Sequence, residues 1–198
     1  GRLLVEYATQ QRVFVPISAM PKMLVEAFLS AEDKNFYYHP GIDPVGIMRA
    51  VLINVKNFAQ GRRLVGASTV TQQVAKNFLL TSDVTLKRKI KEAILAFRIE
   101  RALSKKRILE LYLNEIYLGF GSYGVATAAL NYFNKSLDNL TISEAAFLAA
   151  LPKAPNNYNP LKNSSGARAR RDWVIGRMLE DEVITSEEAR QARAKPLY

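Results

Sequence analysis

The sequence predicts a mostly α-helical domain, and three observations carry that prediction. Apolar residues recur at helical spacing through most of the chain, helix-capping residues stand in front of those runs, and strand signals are scarce. The 198 residues suit one domain, or one domain with a small lobe. Hydrophobic residues make up 48% and charged residues 23%, an ordinary globular balance that rules out a disordered chain.

Residues 1–17 read as a β-prone lead-in, with alternation around Gln11-Arg12-Val13-Phe14-Val15. Ser18 opens a helical pattern that puts Met23, Leu24, Ala27, Phe28 and Ala31 on one face and runs to Glu32-Asp33. His39-Pro40-Gly41 is a turn signal. Asp43-Pro44 reads as an N-cap with proline at the first helical position, and its helix runs through Ile47, Val51, Ile53 and Val55. Residues 56–68 differ. Lys56, Arg62 and Arg63 sit among Gln60, Gly61, Gly66 and Ser68, a basic, glycine-punctuated loop expected to be mobile. Thr69 to Leu80 is again helix-compatible. Thr85 caps a periodic segment from Leu86 to Leu103, and Ser104 caps the next, Lys105 to Leu118, before Gly119, Gly121 and Gly124 break the chain. Thr141-Ile-Ser-Glu144 and Thr185-Ser-Glu-Glu188 are capping boxes in front of two further helices. Pro152, Pro155 and Pro160 mark a connector from the first of these to the helix around Trp173.

Composition excludes several chemistries. There is no cysteine, so disulfides and cysteine nucleophiles or metal sites are out. The single histidine, His39, excludes a multi-histidine zinc site and argues against a Ser-His-Asp triad. With 28 Lys and Arg against 18 Asp and Glu, the net charge of +10 points to an anionic partner. No run approaches 18 consecutive apolar residues, so nothing reads as a membrane span. The opening Gly1-Arg2-Leu3-Leu4-Val5-Glu6 lacks the apolar core of a signal peptide, and Lys195-Pro196-Leu197-Tyr198 does not read as a natural tail. The chain is therefore expected to be a domain excised from a longer protein.

Several residues invite chemistry, and each has a plainer reading beside it. Glu32 ends an apolar helix, where burial raises a carboxyl pKa and suits it to proton transfer; alternatively it is a solvated helix-end acid. Glu92 shares a helix face with Arg88 and Lys89, which suits a phosphate-handling cluster and equally a surface ion-pair ladder. The run Gly66-Ala67-Ser68-Thr69-Val70-Thr71-Gln72-Gln73, with Lys76 four residues after Gln72, is a candidate anion site at a helix mouth or a polar loop with an N-cap. His39 reads better as a turn residue bonded to backbone than as a base. Phe36, Tyr37, Tyr38 and Trp173 read better as core or rim than as a ligand-stacking box.

Taken in order, these segments resemble the signatures of the peptidoglycan glycosyltransferases, glycosyltransferase family 51. Glu32-Asp33-Lys-Asn-Phe36-Tyr-Tyr-His39-Pro-Gly41-Ile-Asp43 resembles the first, Gly66-Ala-Ser68-Thr69-Val-Thr71-Gln72-Gln73 the second, and Arg88-Lys89-Ile-Lys-Glu92 the third. Lys106-Arg-Ile-Leu-Glu110-Leu-Tyr112-Leu-Asn114 is similar to the fourth and Leu148-Ala-Ala-Leu-Pro152-Lys153-Ala-Pro155-Asn-Asn-Tyr158-Asn159-Pro160 to a fifth. Together they cover roughly residues 20–180. The parent that fits best is a class A penicillin-binding protein, with a monofunctional transglycosylase as the other candidate.

The resemblance implies a lysozyme-like helical domain with a small membrane-facing jaw lobe, at about residues 50–85 with the cleft segment. It implies polymerisation of lipid II into β-1,4-linked glycan strands, with inversion and release of undecaprenyl diphosphate. It makes Glu32 the general base and Glu92 the second catalytic acid. It gives substrate contacts to Arg49, Ser68, Thr71, Gln72, Gln73, Lys76, Arg88, Lys89 and Lys153, with Arg171 also near the growing strand. Asn114 is read as a bond-maker between helices with a second reading as a ligand. The resemblance fixes no cofactor, and Mg2+ or Mn2+ beside Glu92 and the diphosphate is the divalent cation it allows. The implied partners are lipid II, the growing strand, the bacterial inner-membrane surface and a C-terminal transpeptidase domain, and no nucleic acid. The implied place is the periplasmic face of that membrane, reached by an anchor outside this chain. Lipid-touching positions in the jaw would be Val55, Phe58, Leu64 and Val65.

Two departures stand out. Val84 occupies a position that is often arginine in the family, so Lys87 replaces that phosphate contact or the contact is weaker. The separation of Glu32 from Glu92 is also slightly long, with the extra residues expected in the 56–65 loop. Two rivals have distinct signatures. A lysozyme-like hydrolase needs two carboxylates but no phosphate clamp. A nucleic-acid module would line its cations along one exposed helix.

Overall fold

A computed structural model describes residues 13–62, 66–79 and 85–197. The lead-in through Arg12, the loop residues Arg63, Leu64 and Val65, and Val84 lie outside the described residues. Among the described residues the chain is helical, and β-structure is confined to one antiparallel bridge, Tyr117 with Tyr123. The α-helices are α1 (Lys22–Glu32), α2 (Pro44–Ala59), α3 (Val70–Asn77), α4 (Leu86–Ala102), α5 (Lys105–Glu115), α6 (Val125–Phe133), α7 (Ile142–Ala150), α8 (Ser164–Glu180) and α9 (Ser186–Ala194). They divide into two compact units, Gly1–Lys34 with Glu110–Tyr198, and Asn35–Leu109.

Local chemistry sets most boundaries. The Asp43 carboxylate accepts from Gly46 N, and Pro44 supplies the first turn of α2. Thr85 and Ser104 accept from Arg88 N and Arg107 N, as their positions predict. α1 begins later than expected. Ser18 lies in a short 3-10 turn, Ile17–Ala19, and the helix waits for Pro21, whose missing N–H costs nothing at a helix start. α5 ends three residues early because Gly119, Gly121 and Gly124 all take positive φ. At Gly124 a Cβ would also strike the Asn114 carbonyl.

The first unit is built around α7. Its sequence is apolar on nearly every side, and residues 143 and 145–150 are all buried. Helices α1, α6, α8 and α9 pack against it, and Ala145, Ala146, Ala149 and Ala150 let their backbones approach. Phe147 meets the Tyr132 and Phe133 rings edge-on, at 5.2 and 5.7 Å between centroids. The Thr141 capping box closes α7: Glu144 N donates to Thr141 Oγ1, and Thr141 N and Lys135 Nζ donate to Glu144 Oε1. Burial pushes the Glu144 carboxyl up, but the Thr141 amide and then Lys135 outweigh it and hold it below its ordinary value. A carboxyl lowered in the fold stabilises fully above its unfolded pKa and loses that contribution as pH falls through the lower one. Glu144→Gln is therefore expected to cost about 1 kcal/mol near neutral pH. Paired melting curves should show that deficit closing below about pH 4.

The second unit carries α2, α3 and α4, with α3 packed on α4. The His39 turn is built as expected: Gly41 N donates to His39 Nδ1 at 3.0 Å, and His39 is buried. Lys105 Nζ, 4.5 Å from the Phe36 ring centre, donates to His39 O and to Glu100 Oε1. Helix α2 is unusual. Ala50 is its one buried residue, while Phe58, Leu52 and Met48 are 81%, 71% and 68% exposed.

Candidate active site

In the first unit, Glu32 is the last residue of α1, directly after the buried run that includes Leu24, Phe28 and Leu29. Asp33 is buried and its N–H closes the helix on Leu29 O. The phenol of Tyr112 lies beside them, buried and edge-on to Phe28 at 6.4 Å between centroids. Its hydroxyl has no hydrogen-bond partner among the described residues. Burial first, and then the negative charges of Glu32 and Asp33, raise the Tyr112 pKa well above the ordinary phenol value. The acid therefore has an apolar flank on its own helix and a neutral phenol nearby, an environment suited to a base.

Other expected residues of this unit separate into two groups. Lys153 is exposed in the 3-10 turn Leu151–Lys153. Asn114 is a clamp: Val15 N donates to its Oδ1, and its Nδ2 donates to Val15 O and Glu110 O. That carboxamide bonds to backbone on both its oxygen and its nitrogen, as the bond-maker reading expects. Arg171 needs correction. It is wholly buried and donates to Asp172 Oδ1, Ser143 Oγ, Arg193 O and Lys195 O, so it pins the first turn of α7 and the end of α9 to α8.

In the second unit, the phosphate-type cluster is present. Glu92 is buried in α4, and Lys89 Nζ donates to Glu92 Oε1 at 2.9 Å and to Ser68 Oγ at 2.7 Å. The Lys89 side chain stays half exposed. Arg88 is half-buried on the same helix, and Arg49 is exposed on α2. The polar run splits. Thr69 and Gln72 form a reciprocal capping box, Gln72 Oε1 accepting from Thr69 N. Thr71 is buried and donates to Glu100 Oε1 at 2.7 Å. Thr71 and Gln72, expected to bond sugar and phosphate oxygens, here make bonds inside the fold that hold α3 in place. Ser68 and Gln73 are half-buried and Lys76 is exposed, which leaves these three outward.

Mg2+ is typically held by one or two carboxylates together with substrate phosphates and water; Glu92 is the one carboxylate of this cluster, and it accepts from Lys89 Nζ. No group of three or more His, Asp or Glu able to hold a metal occurs among the described residues.

The transglycosylase family model matches residues 1–179. The chain belongs to the transglycosylase family. This transglycosylase is 57% identical over 197 residues to penicillin-binding protein 1A of Rickettsia felis, covering all of this chain and 25% of that protein. It is 51% identical to penicillin-binding protein 1A of Aquifex aeolicus, covering 27% of that protein. The 2.6 Å crystal structure of penicillin-binding protein 1A from Haemophilus influenzae shares its fold with a TM-score of 0.58 at 29% identity, over 96% of this chain and 18% of that one. The chain thus spans about a quarter of the length of the curated relatives it matches. As a transglycosylase domain it is a peptidoglycan glycosyltransferase, and its helical architecture is the one its relatives share.

Sequence reasoning passed over Arg170, whose guanidinium lies 3.8 Å over the Trp173 ring, and which carries a charge interaction with Glu32. A signal for it existed. Arg170, Trp173 and Arg177 are spaced i, i+3, i+7 and so share one face of α8.

Proposed function

We propose that this transglycosylase polymerises lipid II into β-1,4-linked glycan strands. The observation that carries the reading is the Ser68–Lys89–Glu92 cluster, a partly exposed cation fixed between a hydroxyl and a buried carboxylate. A hydrolase acting on an uncharged glycoside has no use for it; a sugar diphosphate does. In this reading Glu32, ionised, takes the proton from the acceptor 4-hydroxyl. The oxygen so freed attacks the donor anomeric carbon from the face opposite the diphosphate. The new glycosidic bond forms as the bond to the diphosphate oxygen breaks, with inversion, and undecaprenyl diphosphate leaves with the electron pair. Lys76, Arg88 and Lys89 neutralise its charge, and Ser68 and Gln73 supply neutral hydrogen bonds. Glu92 acts by holding Lys89. Arg49 and Lys153 are assigned to the lipid-linked substrate and the growing strand. No step is routed through a metal.

Lys76→Ala is expected to weaken lipid II binding about tenfold, or about 1.4 kcal/mol, measured by titration of the isolated chain. The test of the function itself is incubation with lipid II. Long polymer supports transfer, and shortening of added glycan with no polymer overturns it.

The same reading assigns the exposed apolar face of α2 to the outer leaflet of the bacterial inner membrane. Among the described residues no helix is long and apolar enough to cross a membrane, so this contact would be interfacial. Leu52→Glu with Phe58→Glu is expected to lower partitioning onto anionic vesicles at least about tenfold, since each of these side chains is worth about 1.5–3 kcal/mol when buried. Unchanged flotation with vesicles would remove α2 from that role.

A further inference from the structure

Helix α3 presents two faces. Its outward side carries Gln73 and Lys76, with Ser68 just ahead of the Thr69 cap. Its inward side, Val70, Thr71, Gln72, Val74 and Ala75, is buried. Apolar burial is non-directional, so it holds a helix down without fixing where it lies along its neighbour. Hydrogen bonds fix that. Two run between this segment and α4: Lys89 Nζ donates to Ser68 Oγ at 2.7 Å, and Thr71 Oγ1 donates to Glu100 Oε1 at 2.7 Å. About two turns of α4 separate Glu92 from Glu100, so Glu100 stands outside the Ser68–Lys89–Glu92 cluster. It is also a junction. Lys105 Nζ donates to the same Oε1 at 2.8 Å and to His39 O at 2.6 Å. The Thr69 hydroxyl donates to Gly41 O at 2.6 Å. Gly41 takes a φ of +116°, and a Cβ there would lie 3.2 Å from the Ala96 carbonyl and from Glu100 Cγ. The turn at 39–41, the start of α3 and the end of α4 therefore close on one carboxylate. The Glu100 and Lys105 side chains are only 11% and 23% exposed. A charge pair this enclosed adds little net stability, because desolvation offsets its attraction, and its best-attested use is to fix register.

We propose that Glu100, with Lys105 as its counter-ion, is a positioning residue for substrate affinity. By holding Thr71 it sets where α3 lies along α4, and so where Ser68 meets Lys89, and with that the placement of Gln73 and Lys76. The inference rests on the reading of that cluster as the receiver of the diphosphate. Glu100 acts through Thr71 and α3, not on the ligand. A lost register weakens the ground state and the transition state alike, so KM rises while kcat holds. Loss of folded protein does the reverse: it lowers kcat per mole of chain and leaves KM unchanged.

The test uses the 198-residue chain, with inorganic pyrophosphate titrated by calorimetry and lipid II polymerisation followed for kcat and KM. Thr71→Val removes the hydroxyl and keeps the shape; Glu100→Leu removes the acceptor. Each is expected to weaken pyrophosphate binding and raise KM about tenfold, with kcat within about twofold of wild type. The double variant should bind no more weakly than either single one, since both cut the same bond. Thr71→Ser, which restores the hydroxyl, should recover most of the affinity. Lys105→Met should raise KM by less, and it carries the test should Glu100→Leu fail to fold. Affinity that falls in Thr71→Val and holds in Glu100→Leu overturns the proposal, because Thr71 then acts without Glu100. A fall in kcat at unchanged KM overturns it too, and leaves Glu100 a residue of the fold alone. Pyrophosphate binding and KM unmoved in these variants, while Lys89→Met weakens both, strikes this inference and spares the diphosphate reading. Wild-type binding in Lys89→Met strikes that reading and the inference with it.

Discussion

Glu32→Gln is expected to lower glycan polymerisation by about a hundredfold to ten-thousandfold, the range that loss of a general base covers. The amide has the shape of the acid but neither its charge nor its affinity for a proton. Melting temperature is expected to hold or rise slightly, because the substitution removes a negative charge from the end of α1 and from beside Asp33. A second readout is available in the same variant. The Glu32 charge helps raise the Tyr112 phenol, so an ultraviolet titration should find that phenol ionising at lower pH once the charge is gone. Normal turnover with a displaced Tyr112 would show that the acid stands where it is described and is not the base.

The second large effect is on stability. Arg171→Ala removes a wholly buried guanidinium and leaves Ser143 Oγ and the Arg193 and Lys195 carbonyls without their donor. The expected cost is about 3 kcal/mol, or roughly 10 °C in melting temperature for a chain of this size. Chemical denaturation should show the midpoint falling with the slope unchanged. Adjacent Arg170 differs in kind. It stacks on a partly exposed ring and carries its interaction toward Glu32. Neighbours one position apart on a helix face different directions, and here one is wholly buried while the other lies half-buried on an aromatic ring.

That contrast marks what the sequence could and could not disclose. Asp43-Pro44 and the boxes at Thr141 and Thr185 were readable because capping chemistry is local and complete within four residues. The same logic reveals Thr69 and Gln72 as a third box, although the density of hydroxyls and amides there suggests an anion site instead. Helix α6 is masked by the glycines before it, whose turn signals hide a helix that begins directly after Gly124. The Glu32 and Glu92 segments are legible through their resemblance, because chemistry fixes residue types at fixed spacings. The burial of Thr71, the clamp at Asn114 and the direction of Arg171 are tertiary facts, since the bonds Thr71–Glu100, Val15–Asn114 and Arg171–Lys195 span 29, 99 and 24 positions. The exposure of α2 is the sharpest case. An apolar helical run ordinarily marks a core face, and here the run faces outward, as a surface with an apolar partner does.

The central claim is that one carboxylate removes a proton while a separate cationic cluster receives a departing diphosphate. Gel separation of the products from lipid II, for wild type, Glu32→Gln and Lys89→Met, tests it most directly. The account predicts long polymer from wild type alone, with Glu32→Gln still binding lipid II and Lys89→Met binding it poorly. Polymer of wild-type length and yield from either variant would contradict it.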